Sequence, residues 1–257
     1  MKSCHARSST LRIFLTVCVS AVFSCSAPKQ TTISLQTFNY DYKTGAPTKP
    51  GSANILVDLV RPNYASTFAY GRTELFSNFR THIGRDMEEL LIDKGFRVKG
   101  PYDSFDDMVF DDRKDADIAI DVEIVPQFTA RDGSWHSYTN KFSLQAPVTY
   151  YYYEGTVSLI GKINLIGYEP LSKEKIWVKS VPIPAITNIN ITTANKKFTS
   201  TTVGNEFYND PNVYNALGSA LNEQYKEIFK KIDVLLDARE FEILKPQIKE
   251  LKAKKGY

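Results

Sequence analysis

Cysteine is scarce in this sequence: three in 257 residues, at Cys4, Cys18 and Cys25. Histidine is equally rare, and no His-x-x-x-His or paired-cysteine spacing occurs. The usual ligand patterns for zinc are therefore missing. No Gly-x-Ser-x-Gly elbow and no phosphate-cradling glycine loop is present. The 29 acidic residues always offer carboxylate pairs, but no pair is singled out. These absences argue against an enzyme and assign no catalytic residue, no metal ligand and no cofactor. No apolar run approaches the about 20 residues that a bilayer-crossing helix needs. Internal repeats of about 20–50 residues, the mark of a solenoid or propeller, are also absent.

What is there begins with an export signal. Lys2, Arg7 and Arg12 precede an apolar run from Ile13 to Phe23. Its length suits the h-region of a secretory signal rather than a membrane span. The run ends Val22-Phe23-Ser24-Cys25, a small residue before a cysteine, as lipoprotein processing requires. Phe23 is bulky for its place; an ordinary signal with a chance cysteine is the plainer alternative. Cleavage after Ser24 leaves Cys25 as the sole cysteine of the mature chain. A lone cysteine cannot form an internal disulfide, whereas an acylated one forms an anchor. The expectation is a signal peptide at 1–24, lipidation at Cys25, and attachment to a membrane by lipid. Removing the three signal cations brings 32 basic residues level with the 29 acidic ones. The formal charge of +3 therefore belongs to the signal and does not point to nucleic acid.

Residues 25–53 read as a lipidated N-terminus and tether, with Thr32–Tyr42 as a first or edge strand. The Pro/Gly-rich stretch near 45–51 reads as loop. One α/β domain is expected over 54–257. The apolar run at 54–60 predicts a buried strand. Leu75, Phe79, Ile83, Met87, Leu90 and Leu91 lie at steps of three and four, predicting a helix over 73–94. Gly95 stands where a C-terminal cap glycine belongs. Phe96 and Val98 predict a second strand, giving a strand–helix–strand unit whose crossover should be right-handed if its strands are parallel neighbours. Seven aspartates between Asp103 and Asp117 match no EF-hand spacing and read as a solvated loop with caps. Strict alternation predicts strands at 116–125 and 155–168, the latter forming a hairpin with 176–183. Pro182 and Pro184 mark an edge or an exit from the sheet. A polar connection is expected from Ile186 to Tyr208. Asp210 and Pro211 then open a long helix as N-cap and first residue. A last amphipathic segment, 239–255, is expected to break near Pro246. Its basic end is either a soluble tail or a contact for anionic head groups. The fold class is α/β (α+β): a mixed, largely antiparallel sheet with long amphipathic helices packed on it, in a single domain.

The densest chemistry lies between Phe128 and Tyr153. Aromatic rings pair an apolar face with a polar tip, which suits sugar faces and protein interfaces. Trp135, Tyr150 and Tyr152 are candidate ligand contacts, with Arg131 and Lys141 able to meet a carboxylate such as that of sialic acid. The plainer reading is a pair of β-segments whose aromatics face both ways and are partly core.

Several segments together resemble the neuraminyllactose-binding haemagglutinin family of epsilonproteobacterial lipoproteins. They are VFSC at 22–25, LVRP at 59–62, DKGFRV at 93–98, ADIAIDVEIVP at 116–126 and INLIGYEPLSKE at 163–174. ALNEQYKEIFKKID and KELKAKK follow near the end. The resemblance implies an outer-membrane or flagellar-sheath lipoprotein with a role in binding sialylated glycans. It departs from the family where a basic stretch is expected after the EIV-P strand. Here that stretch reads QFTARDGSWHS, with Arg131 as its one cation. Three functions follow as expectations: an envelope lipoprotein of structural or interaction type, a sialylated-glycan adhesin, or a periplasmic assembly cofactor for an envelope protein machine.

Overall fold

A computed structural model describes residues 34–45, 47–140, 148–193 and 205–254, all within one unit spanning 33–257. Cys25 and Lys141 lie outside the described residues. The element order is β1 (Leu56–Val60), β2 (Asn63–Tyr64), α1 (Glu74–Asp93), β3 (Arg97–Tyr102), a 3-10 turn (Phe105–Asp107) and α2 (Phe110–Asp115). Then come β4 (Ile118–Asn140), β5 (Val148–Tyr168), β6 (Lys175–Thr192), α3 (Asn205–Tyr208), α4 (Pro211–Leu235) and α5 (Ala238–Lys254). The strands form one sheet in the order β3-β1-β4-β5-β6, with β2 pairing on β4. β1 lies parallel to β3 and β4; β4, β5 and β6 run antiparallel in long ladders. The mixed α/β architecture expected from the sequence is the one observed.

Alternation decides what each face buries. Val57 and Leu59, with Ile118, Ile120, Val122 and Ile124, join the apolar stripes of α1 and α4 in the main core. On the other face, Val60 and Ala119 form a smaller cluster with Met108, flanked by Tyr102 and Phe105. Gly95 has φ +86, and its N–H donates to the Ile92 carbonyl, ending α1 as predicted. Asp210 accepts from the Asn212 N–H at 3.0 Å, and Pro211 opens α4. β6 is an edge strand, so Pro182 and Pro184 sit where a missing donor is tolerated.

Five expectations are corrected. No strand forms over 34–42. That stretch instead lies on the helices: Phe38 and Tyr40 are buried, and a Cβ on Gly218 would overlap the Phe38 ring. Its main chain is tied by side chains, Asn215 to Gln36 N–H and Asp86 to Tyr42 N–H, in place of a neighbouring strand. The connection after Ile186 continues β6 to Thr192, because Ile189 and Ile191 pair with Val157 and Gly155 of β5. The aspartate-rich segment is not simply loop; it holds the 3-10 turn and α2, with Asp112 receiving Lys99 and the Tyr102 hydroxyl, each at 2.8 Å. α5 runs through Pro246 without a break. Phe241 and Ile248 flank the proline and are both buried, while the Glu242 position that loses its helical donor is exposed, where water can replace it. The basic end of α5 is neither a free tail nor a free membrane contact at Lys252. Its ammonium donates to the carbonyls of Lys114 at 2.9 Å and Ala116 at 2.7 Å, and more weakly to Arg113.

Candidate functional site

Among the described residues, β4 and β5 outrun the rest of the sheet. β6 pairs with β5 as far as Glu154, opposite Thr192. Beyond that point, among the described residues, 135–140 and 148–153 pair with each other as a two-stranded ribbon, with Tyr153 at its root still accepting from the Thr193 N–H. Gly133 and Gly155 face one another at its root. A Cβ on either would collide with the main chain opposite, so no other residue fits this close approach.

The ribbon's two faces differ. Tyr138 stacks on Tyr150, with ring centroids 5.3 Å apart, and His136 stacks on Tyr152 at 5.1 Å. Tyr138 is 46% exposed and His136 is also exposed, so this ladder meets solvent. Cross-strand aromatic pairs of this kind stabilise a ribbon by a few tenths to about 1 kcal/mol each. On the opposite face Trp135 meets Tyr153 edge-on at 5.6 Å, and Tyr153 packs edge-on against Phe207 at 5.4 Å. Tyr153 is buried, and its N–H donates to the Thr193 hydroxyl at 2.7 Å. That face fastens the ribbon to the body.

The candidate contacts are therefore divided. Tyr150 and Tyr152 share the open face. Trp135 lies on the other face, packed against the main core. Its residue number alone would not show this. Phe128 and Trp135 both pack on the core although their positions differ by an odd number. A bulge between Phe128 and Ala130 supplies the missing residue and swaps the faces beyond it. The main chain of Arg131 pairs with Val157 in β4, but its side chain and all of Lys141 fall outside the described residues. His136 completes the open ladder; its pairing with Tyr152 is set by the strand register. Among the described residues, no group of three or more His, Cys, Asp or Glu could hold a metal ion. No described helix is long and apolar enough to cross a membrane.

No family model and no curated relative matches the chain. Among solved structures it is similar to one described as a neuraminyllactose-binding hemagglutinin homolog from Helicobacter pylori. That match has 14% identity and a TM-score of 0.49, covering 82% of this chain and 100% of that one. It is also similar to a Xanthomonas campestris protein of DUF330, at 9% identity and a TM-score of 0.35, covering 80% and 99%. A lipoprotein of Neisseria meningitidis follows at 12% identity and a TM-score of 0.29, covering 66% and 96%. The Helicobacter structure bears the description of the family named from the sequence motifs. At these scores the likenesses carry no argument about activity.

Proposed function

We propose that the protein is a non-enzymatic envelope lipoprotein of interaction type, held by acylated Cys25 and contacting its partner through the open face of the β4–β5 ribbon. The observation that carries this reading is the exposed ladder Tyr138–Tyr150 and His136–Tyr152. Four rings presented on one face bring large apolar area at low entropy cost, because each ring has two side-chain torsions. The reverse face is fastened to the core through Tyr153 and Phe207, so the ladder is presented on a preorganised support. The signal-like N-terminus and the lone mature cysteine support placement in the envelope.

Within that reading the partner is an envelope protein or a sialylated glycan; the motif resemblance favours an outer-membrane or flagellar-sheath setting. Stacked tyrosines with outward hydroxyls suit the apolar face of a sugar ring. The deciding experiment compares wild type with Tyr138→Ser/Tyr150→Ser in two assays: a glycan array including sialyllactose, and in-cell cross-linking. Tyr138 is exposed and Tyr150 half-buried, so loss of this cross-strand pair should lower the melting temperature by no more than about 4 °C. Loss of a cross-linked envelope partner, or of glycan binding, in a folded double mutant is the expected result. A mutant that keeps every partner of the wild type would remove the ribbon from the reading.

A further inference from the structure

A second feature lies apart from the ribbon. A cleft of about 460 Å³ opens between the turn joining β1 and β2, the outer face of α1, and the turn after β3. That is within the range of small-ligand sites. Three arginines line it, Arg61 from the β1–β2 turn and Arg80 and Arg85 from α1, together with two carboxylates, Glu88 and Asp103. Arg80, Thr81, Arg85 and Glu88 share one flank of the helix by their spacing. Gly84 forms part of the floor, and Pro62 lies where its side chain would be: a Cβ there would sit 3.1 Å from Pro62 Cδ.

The arginines are not equally committed. Arg85 is held from its own helix by buried Asp86 at 2.8 Å and donates to the Tyr40 carbonyl at 2.9 Å. Arg61 is paired with Asp103, but both side chains are mostly exposed, at 60% and 72%. Such a pair is worth about 0–1 kcal/mol and yields readily to a better partner. Arg80 is half-buried and has no ion pair or hydrogen bond to any described residue. A planar guanidinium with its donors open, in a recess beside a second recruitable one, matches the geometry of a carboxylate or phosphate. Asn63 and Thr81 supply neutral polar groups on the same walls.

We propose that this cleft binds a small ligand bearing one compact anion, a carboxylate or a phosphate monoester, with Arg80 as its main contact and Arg61 exchanging Asp103 for it. Glu88 excludes ligands carrying a second negative group on the α1 side. The site is independent of the ribbon and stands or falls separately from it.

The experiment is a two-dimensional amide NMR titration of the mature chain with glucuronate and, separately, with inorganic phosphate. Saturable shifts confined to the amides around 61–63, 80–88 and 101–103 are expected, weakening with added salt. Response to glucuronate alone assigns an acidic sugar, and response to phosphate alone a phosphorylated ligand; response to both supports the shared anion chemistry. Arg80→Gln should weaken binding roughly tenfold, the scale of one charge-assisted hydrogen bond. Asp103→Asn, which frees Arg61, should tighten it. Unaltered spectra away from the cleft verify that each variant is folded. Absence of saturable shifts with both anions, or undiminished binding in Arg80→Gln, would overturn the assignment.

Discussion

Asp86 lies buried on α1 with its carboxylate fully engaged. It accepts from the Tyr42 N–H and the Tyr225 hydroxyl, each at 2.9 Å, and pairs with Arg85 at 2.8 Å. It thereby joins the N-terminal segment, α1 and α4. Asp58 on β1 is equally buried, yet neither of its oxygens has a hydrogen-bond partner among the described residues. Burial pushes its carboxyl up to about 7; Asp112 and Asp115 of α2 add to the rise, while Lys99 of β3 and Lys252 of α5 oppose it. An unfolded aspartate titrates near about 4. The native state thus holds the proton more tightly, and the unfolded state binds fewer protons between pH 4 and 7. The stability this group contributes is full below pH 4, declines as pH rises, and is lost above about 7. Asp58→Asn should therefore melt at least about 3 °C above wild type at pH 8 and show no advantage at pH 4. Thermal melts at the two pH values measure this; equal melting temperatures of the two proteins at pH 8 would mean that the carboxylate has a partner in solution.

At the scale of elements, α2 is too short to hold itself. Six residues are well below the length at which a helix is stable in water. Its carbonyl end is instead closed from outside by Lys252 on α5, which is sequence-distant and reaches the carbonyls of Arg113, Lys114 and Ala116. Cations are favoured at such ends by the helix dipole. Desolvation lowers the Lys252 ammonium, while Glu169, Asp117 and Asp58 hold it charged. Lys252→Gln should cost about 1–2 kcal/mol and speed hydrogen exchange at the amides of Arg113 and Ala116. Unchanged exchange there would show that α2 is held without Lys252, by the Lys99 and Tyr102 bonds to Asp112. This clamp explains why the final KELKAKK was only half legible. Its composition reads as a solvated basic end, and no local pattern shows that one lysine faces another element's carbonyls. The capped helices were legible because their signals are local. Asp210-Pro211 and Gly95 act through bonds within a few residues, and the stripe of α1 follows from its period.

For the whole molecule, the reading depends on Cys25. Wild type should carry a diacyl or triacyl mass increment and fractionate with the membrane; Cys25→Ser should be unacylated and soluble. Intact-mass analysis with fractionation tests this, and an unmodified soluble wild type would sink it. The sequence by itself determined the fold class, the core faces of α1 and α4, and the alternating strands, because each rests on a period or a cap within one segment. It also marked 128–153 as the aromatic stretch. Tertiary structure decided which of those aromatics are free. One bulge between Phe128 and Ala130 reverses the faces beyond it, turning Trp135 inward to the core and leaving His136 and Tyr138 to meet Tyr152 and Tyr150 in solvent. A strand's side-chain period is two, so a single extra residue exchanges every face after it. Nor could any local pattern seat Phe38 over Gly218, bury Asp58, or bring Arg61 and Arg80 to one cleft. Each depends on residues that only the folded chain brings together.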